Sequence, residues 1–273
     1  MPTESWVVAG PQIIEIEQVR VLRVQIVAGR VDVVARDDDS TGATVEIHSV
    51  VGAPLEVSLV DGELRVGYSY TLGGWENFVD KFRHFTNRDS VNVHIAVPRE
   101  VHAKLGTVSA EGLLAGVRED AQVSTVSGAL VTDSTFGALA ANTVSGEIIV
   151  RNHTGDLRLN TVSGDLTAQG SFARVSAHSV SGALVLDSAG TTSAINATTV
   201  SGDVTVRLPK GTGITIDATR VSGRVVVDGR EYTAARPGKV RVDLREDSGG
   251  CFVSTQTVSG LSLIHISEPT RPY

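Results

Sequence analysis

The chain has 273 residues, of which 41% are hydrophobic but only 4% aromatic, with 28 glycines, a formal net charge of −7 and a pI near 5.5. No basic run is present to neutralise phosphates, which argues against a nucleic-acid binder. The single cysteine, Cys251, excludes an internal disulfide framework and suits a reducing compartment. No stretch of about 18 apolar residues occurs, so no membrane-spanning helix is expected and membrane contact is not anticipated. Met1 to Ser5 lack a basic segment and Trp6 to Gly10 are too short for a secretion-signal core, which makes the cytoplasm the expected location.

Residues 1–100 read as an antiparallel, hairpin-rich β region. Leu22 to Val27 and Val31 to Val34 alternate about Gly29, Thr44 to Ile47 follow an Asp/Ser/Gly turn, and Leu55 to Leu59 lead through Asp61-Gly62 into Leu64-Arg65-Val66. Asp-Gly between alternating segments is a hairpin signal. Val91 to Val97 form a last strand, ended by Pro98. Within this region, residues 71–90 carry Trp75, Phe78, Phe82 and Phe85 beside Lys81, Arg83, His84 and Arg88. Large rings outside a thin core act as caps or as anchors, so these four aromatics are a candidate partner contact.

Residues 101–260 are organised by a repeat. Thr-Val-Ser-Gly or a close variant recurs seven times, at Val126/Gly128, Val144/Gly146, Val162/Gly164, Val180/Gly182, Val200/Gly202, Val221/Gly223 and Val258/Gly260. The valines follow at intervals of 18, 18, 18, 20, 21 and 37 residues, the last near two periods with one motif absent. A fixed period means stacked units, and this one is too short for a strand-helix-strand crossover. The expected fold is therefore all-β, a hairpin-rich start continuing into a parallel single-chain β-solenoid of about 18-residue coils stacked at roughly 4.8 Å.

Alternation assigns the faces. Leu130, Ile148, Leu166, Leu184, Val204 and Val225 share a parity with the motif valines, which predicts valine ladders inside. On the opposite parity Thr125/Ser127, Thr143/Ser145, Thr161/Ser163 and their successors are expected to face outward. Each repeating glycine implies a positive φ or a close approach at a corner. The outward series Asp133, Arg151, Gln169, Asp187, Arg207, Asp228 makes several vertical neighbours opposite in sign, which supports the register.

A β-rich start, a strand ending in Val-Pro and recurrent Thr-Val-Ser-Gly-Asp/Glu-Leu/Ile coils resemble the bacterial adhesin-like β-strand-repeat family, also called the toastrack domain, over roughly residues 5 to 260. The resemblance implies a non-enzymatic β-solenoid without cofactors, with some relatives linked to envelope-stress signalling. Departures are the long interval between Val221 and Val258, with a turn at Arg236-Pro237-Gly238-Lys239, and the lack of an anchor. Residues 261–273 look like a translated sequencing adapter; they are expected to pack against nothing, with the natural sequence interrupted at Gly260.

A search for chemistry finds little. The seven histidines, His48, His84, His94, His102, His153, His178 and His265, have no metal-ligand spacing. Gly211-Thr212-Gly213 lacks the setting of a phosphate loop. Glu147, Asp165 and Asp203 recur a coil or two apart, as glycosidase carboxylates would, but Ala129, Ala183 and Arg224 break the row. No catalytic residue, metal or cofactor is assigned. The expected function is a scaffold or adhesin-like protein-interaction module whose partner is another protein or a second copy joined through the solenoid edge. The alternatives are a binder of glycan or ice through outward Thr/Ser ladders and, more remotely, a polysaccharide-active enzyme.

Overall fold

In the computed structural model of the chain, residues 4–68, 89–210, 213–232, 238–244 and 250–267 are described, and every regular element among them is a β-strand. The chain divides into two compact units, Met1–Phe136 and Gly137–Tyr273.

In the first unit, strands stack in parallel and in register. One ladder consists of β3 (Val21–Ile26), β9 (His102–Thr107) and β11 (Ala121–Thr125); the other consists of β4 (Ala28–Ala35), β10 (Glu111–Ala115) and β12 (Leu130–Asp133). β7 (Glu63–Gly67) and β8 (Ser90–Val97) extend the two ladders on the free sides of β3 and β4. The expectation of an antiparallel region over residues 1–100 is therefore corrected in part: parallel stacking starts at Val21, and β3 and β4 pair in parallel with β7, β9, β8 and β10. Ile26-Val27-Ala28-Gly29 and Thr107-Val108-Ser109-Ala110 occupy the same register as Thr125-Val126-Ser127-Gly128. Their letters have drifted while the backbone pairing is kept.

The parallel stack of this unit is finished by antiparallel strands. β6 (Leu55–Val60) turns back on β7 through Asp61 and Gly62, both at positive φ (50° and 80°), as the Asp-Gly signal required. β1 (Glu4–Val8) pairs with β6, β5 (Ala43–Val51) pairs with β8, and β2 (Gln12–Ile16) pairs with β5. They hydrogen-bond the backbone groups that β7 and β8 would otherwise leave open. The insert with Trp75, Phe78, Phe82 and Phe85 lies outside the described residues.

The second unit begins within β13 (Phe136–Thr143) and is built on β14 (Ile148–Thr161) and β15 (Leu166–Ser179), which pair in parallel 18 residues apart, Ile148 opposite Leu166 and Thr161 opposite Ser179. Their register shifts between Val150 and His153 and between Gly155 and Leu157, where each coil bends. β16 (Leu184–Ser188) and β17 (Ala194–Thr199) follow on β15, and β18 (Val204–Pro209) on β16.

Spatial order then departs from chain order. The neighbour of β17 and β18 is β22 (Gly250–Ser267), and β19 (Gly213–Val227) stacks on the far side of β22. β20 (Arg230–Tyr232) and β21 (Gly238–Leu244) fold back antiparallel on β19. The 37-residue interval thus hides no missing motif; it holds a return path, and coil order runs Thr199, Thr257, Arg220. The expectation that residues 261–273 pack against nothing is corrected for 261–267. These residues complete β22, with Ser262 and Ile264 buried between Val204/Val206 and Val225/Val227. Leu261-Ser262-Leu263-Ile264 keeps the two-residue alternation past Gly260, and alternation is all the slot demands.

The last two motifs are built differently from the earlier ones. At Val221/Gly223 and Val258/Gly260 no break separates two strands, because β19 and β22 run through the motif and hold one pairing from Gly213 opposite Gly250 to Val227 opposite Ile264. Gly223 therefore lies in mid-strand opposite Gly260, which corrects its expected place at a corner between strands. The surroundings of Val221 and Gly223 lie outside the described residues, so the predicted inward valine and close-approach glycine are not assigned there.

Candidate functional site at the repeat corner

The recurring corner is where sequence and structure differ most. In the second unit the motif valines face solvent: Val144, Val162, Val180, Val200 and Val258 are 44–49% exposed. Thr143, Thr161, Ser179, Thr199 and Thr257 are buried instead. The valine ladder assigned to the interior is therefore an exterior row. The reason lies in the bend, because between the inward threonine and the inward glycine the chain places two consecutive outward residues, valine and serine. Two-residue alternation holds within a strand but is not carried through a corner.

What the threonine does inside explains its place. Thr161 Oγ1 accepts from the Gly164 amide at 2.8 Å and donates to the Gly164 carbonyl at 2.8 Å; Thr143 binds Gly146 in the same way at 2.8 and 3.0 Å. Ser179 donates to Gly182 and Thr199 accepts from Gly202. A buried hydroxyl thus satisfies two backbone groups that the bend removes from the ladder. The glycine is required by close approach: a Cβ on Gly164 would stand 2.0 Å from the Gly146 carbonyl oxygen, and one on Gly182 1.9 Å from that of Gly164. The serine hydroxyls tie coil to coil, Ser163 to the Val144 carbonyl and Ser181 to the Val162 carbonyl, each at 3.2 Å.

The Thr/Ser ladder expected to bind ice or glycan does not form an outward face, since its threonines are interior. Two of the recurring carboxylates hold backbone: Asp165 accepts from the Ala183 amide at 2.9 Å and Asp203 from the Leu261 amide at 2.8 Å. Each therefore sits where the following coil lacks an acid. His153 is fully buried with its ring 6.2 Å from Phe172. Among the described residues, no group of three or more His, Cys, Asp and Glu is placed to hold a metal. Burial pushes the Cys251 thiol up to about 11, so little nucleophilic thiolate is present near neutral pH. Asp187 stands opposite Arg207, as the charge series implied, but the next neighbour of Arg207 is His265 of β22 and not Asp228, which corrects that step of the series.

A separate cavity of about 840 Å³ opens in the first unit, where Glu4, Glu15, Glu17 and Asp39 meet Arg20 and Arg99. Both arginines are engaged with the fold, Arg20 donating to the Asp61 carbonyl and Arg99 to the Arg36 carbonyl. No helix among the described residues is long and apolar enough to cross a membrane.

Comparison with known proteins agrees with this architecture. The profile of the family described as Toastrack DUF4097 matches residues 21–254, starting where β3 starts. A crystal structure described as a putative adhesin from Parabacteroides distasonis ATCC 8503 is 13% identical, with 97% of each chain covered and a TM-score of 0.55. Another putative adhesin, from Parabacteroides merdae ATCC 43184, is 11% identical over 96% of this chain and 95% of its own, with a TM-score of 0.51. A structure described as a putative lipid binding protein from P. distasonis ATCC 8503 is 13% identical over 96% and 95%, with a TM-score of 0.50. At such identities the likeness concerns the fold alone. The comparison with curated proteins gives no match.

Proposed function

The chain belongs to the Toastrack DUF4097 family, and from that premise we propose that it is a non-enzymatic β-solenoid scaffold, an adhesin-like module that binds another protein along the outer face of its stacked corners. The observation that carries this reading is the valine row of the second unit. Five valines in successive coils are nearly half exposed, while the threonine, serine and aspartate side chains around them are engaged with backbone groups. Contiguous exposed apolar surface of a few hundred Å² marks interaction sites. The row offers contact area and no reactive group, which supports binding over catalysis. Trp75, Phe78, Phe82 and Phe85 remain a second proposed contact, on composition alone.

The test is a paired capture experiment with wild type and a Val162→Asp/Val180→Asp variant. Because both side chains are exposed, the variant should melt like wild type. It should also lose a cross-linked partner that wild type retains from cells of its source. A stable variant that captures the same partner would remove the valine row from the reading. Turnover of a polysaccharide that depends on Asp165 and Asp203 would remove the non-enzymatic reading.

A further inference from the structure

The place of β22 between β17/β18 and β19 carries a second consequence. Both neighbours of β22 present the same register to it. Ile195 and Ile216 both face Val253, Ala197 and Ala218 both face Thr255, Val204 and Val225 both face Ser262, and Val206 and Val227 both face Ile264. The flanking coils are thus matched residue for residue at four inward positions. The strand between them is the less apolar one. It puts two hydroxyls into this core, Thr255 and Ser262, each 1% exposed; Ser262 pairs with Thr257, whereas the Thr255 hydroxyl finds no partner.

The contacts that hold β22 in place are backbone and corner contacts. The Ser259 amide donates to the Val200 carbonyl at 2.7 Å, Asp203 accepts from the Leu261 amide, Gly260 lies against the Gly202 carbonyl, and Ser222 donates to the Val258 carbonyl at 3.1 Å. The slot therefore reads a strand that carries Thr-Val-Ser-Gly in mid-course. It does not read which chain the strand comes from.

We propose that this slot is a strand-acceptor site and that its occupant in trans is β22 of a second copy of the chain, so that two copies associate by exchanging β22. In the exchange each vacated slot is refilled by β22 of the second copy, and its two walls present one register and matched inward residues to that strand. Strand exchange adds no new contact type and needs no new surface. The reading is independent of the valine row.

Cysteine pairing across the slot tests it. Thr205 and Leu263 are opposite one another, as are Thr198 and Gln256, and side chains so paired are within disulfide reach. In a Cys251→Ser background, a Thr205→Cys/Leu263→Cys chain should close an internal disulfide as a monomer, which fixes the occupant in cis. Thr205→Cys and Leu263→Cys made as separate proteins, mixed, incubated and then oxidised, should give a mixed disulfide dimer several-fold above either protein alone. Thr198→Cys with Gln256→Cys supplies a second pair should one of these substitutions fail to fold. Mixtures that yield no more dimer than the single proteins, while the double variant closes internally, would overturn the proposal. Failure of both pairs to close within one chain would overturn the slot itself.

Discussion

Corner valines in the two units occupy the same register and meet different environments, from buried Val27 and Val108 through half-buried Val126 to the exposed row of the second unit. Val27 and Val108 in the first unit are 1% and 5% exposed; Val162 and Val180 in the second are 49% and 47%. The threonine register is buried in both, as Ile26 or Thr107 in one and Thr161 or Thr199 in the other. The motif therefore fixes which residue turns inward at the corner. It does not fix whether the valine beside it is covered. The exposed valine row belongs to the second unit; Val126, which carries all four letters in the first unit, is half-buried, and the fully buried Val27 and Val108 sit in drifted copies.

The sharpest way to break this comparison is to put the same charge at both valines. Val108→Asp should cost about 3 kcal/mol or more, because the carboxylate would be desolvated without a partner or forced to protonate, whereas Val180→Asp should change stability by less than about 0.5 kcal/mol. Equal losses in denaturant melts would mean that the two corners are covered alike. Next in size is Gly182→Ala, whose methyl would land 1.9 Å from the Gly164 carbonyl oxygen. Coils would have to part at that corner, at a cost of about 1–3 kcal/mol. Gly10→Ala, with nothing within 4 Å, is the matched control and should melt like wild type. Deletion after Gly260 should remove the buried Ser262 and Ile264 from β22. The lost apolar burial amounts to about 1.5–3 kcal/mol for the isoleucine alone. An unchanged midpoint would mean that residues 261–267 contribute nothing to the coil.

Much of this fold was legible in the sequence, and the failures have definite causes. The 18-residue period gave the parallel register of β14 on β15, Asp61-Gly62 gave the β6–β7 turn, and Val97-Pro98 gave the end of β8. The glycine ladder correctly signalled close approach at Gly164 and Gly182, but the same letters at Gly223 fall inside an unbroken strand. Face assignment failed because parity was counted from Leu166 back through Gly164 to Val162, across a bend that inserts an extra outward residue. The early coils went unseen because Ile26-Val27-Ala28-Gly29 keeps the pairing without the hydroxyl and Thr107-Val108-Ser109-Ala110 keeps it without the glycine. Coil order was not legible, because the interval between Val221 and Val258 does not show that β21 returns antiparallel on β19 and leaves β22 to pair with β17 and β18. At the candidate site, the carboxylates Asp165 and Asp203 were found by their recurrence, but only the backbone amides facing them show that their role is structural.

The measurement that bears most directly on the corner is the pair of adjacent substitutions Thr161→Asp and Val162→Asp, compared by denaturant unfolding under identical conditions. Thr161 is 6% exposed and bonded to both backbone groups of Gly164, whereas Val162 is 49% exposed. Thr161→Asp should lose about 3 kcal/mol or more, and Val162→Asp less than about 0.5 kcal/mol. The reverse order, with Val162→Asp the more damaging, would put the valines back inside and contradict the corner described here.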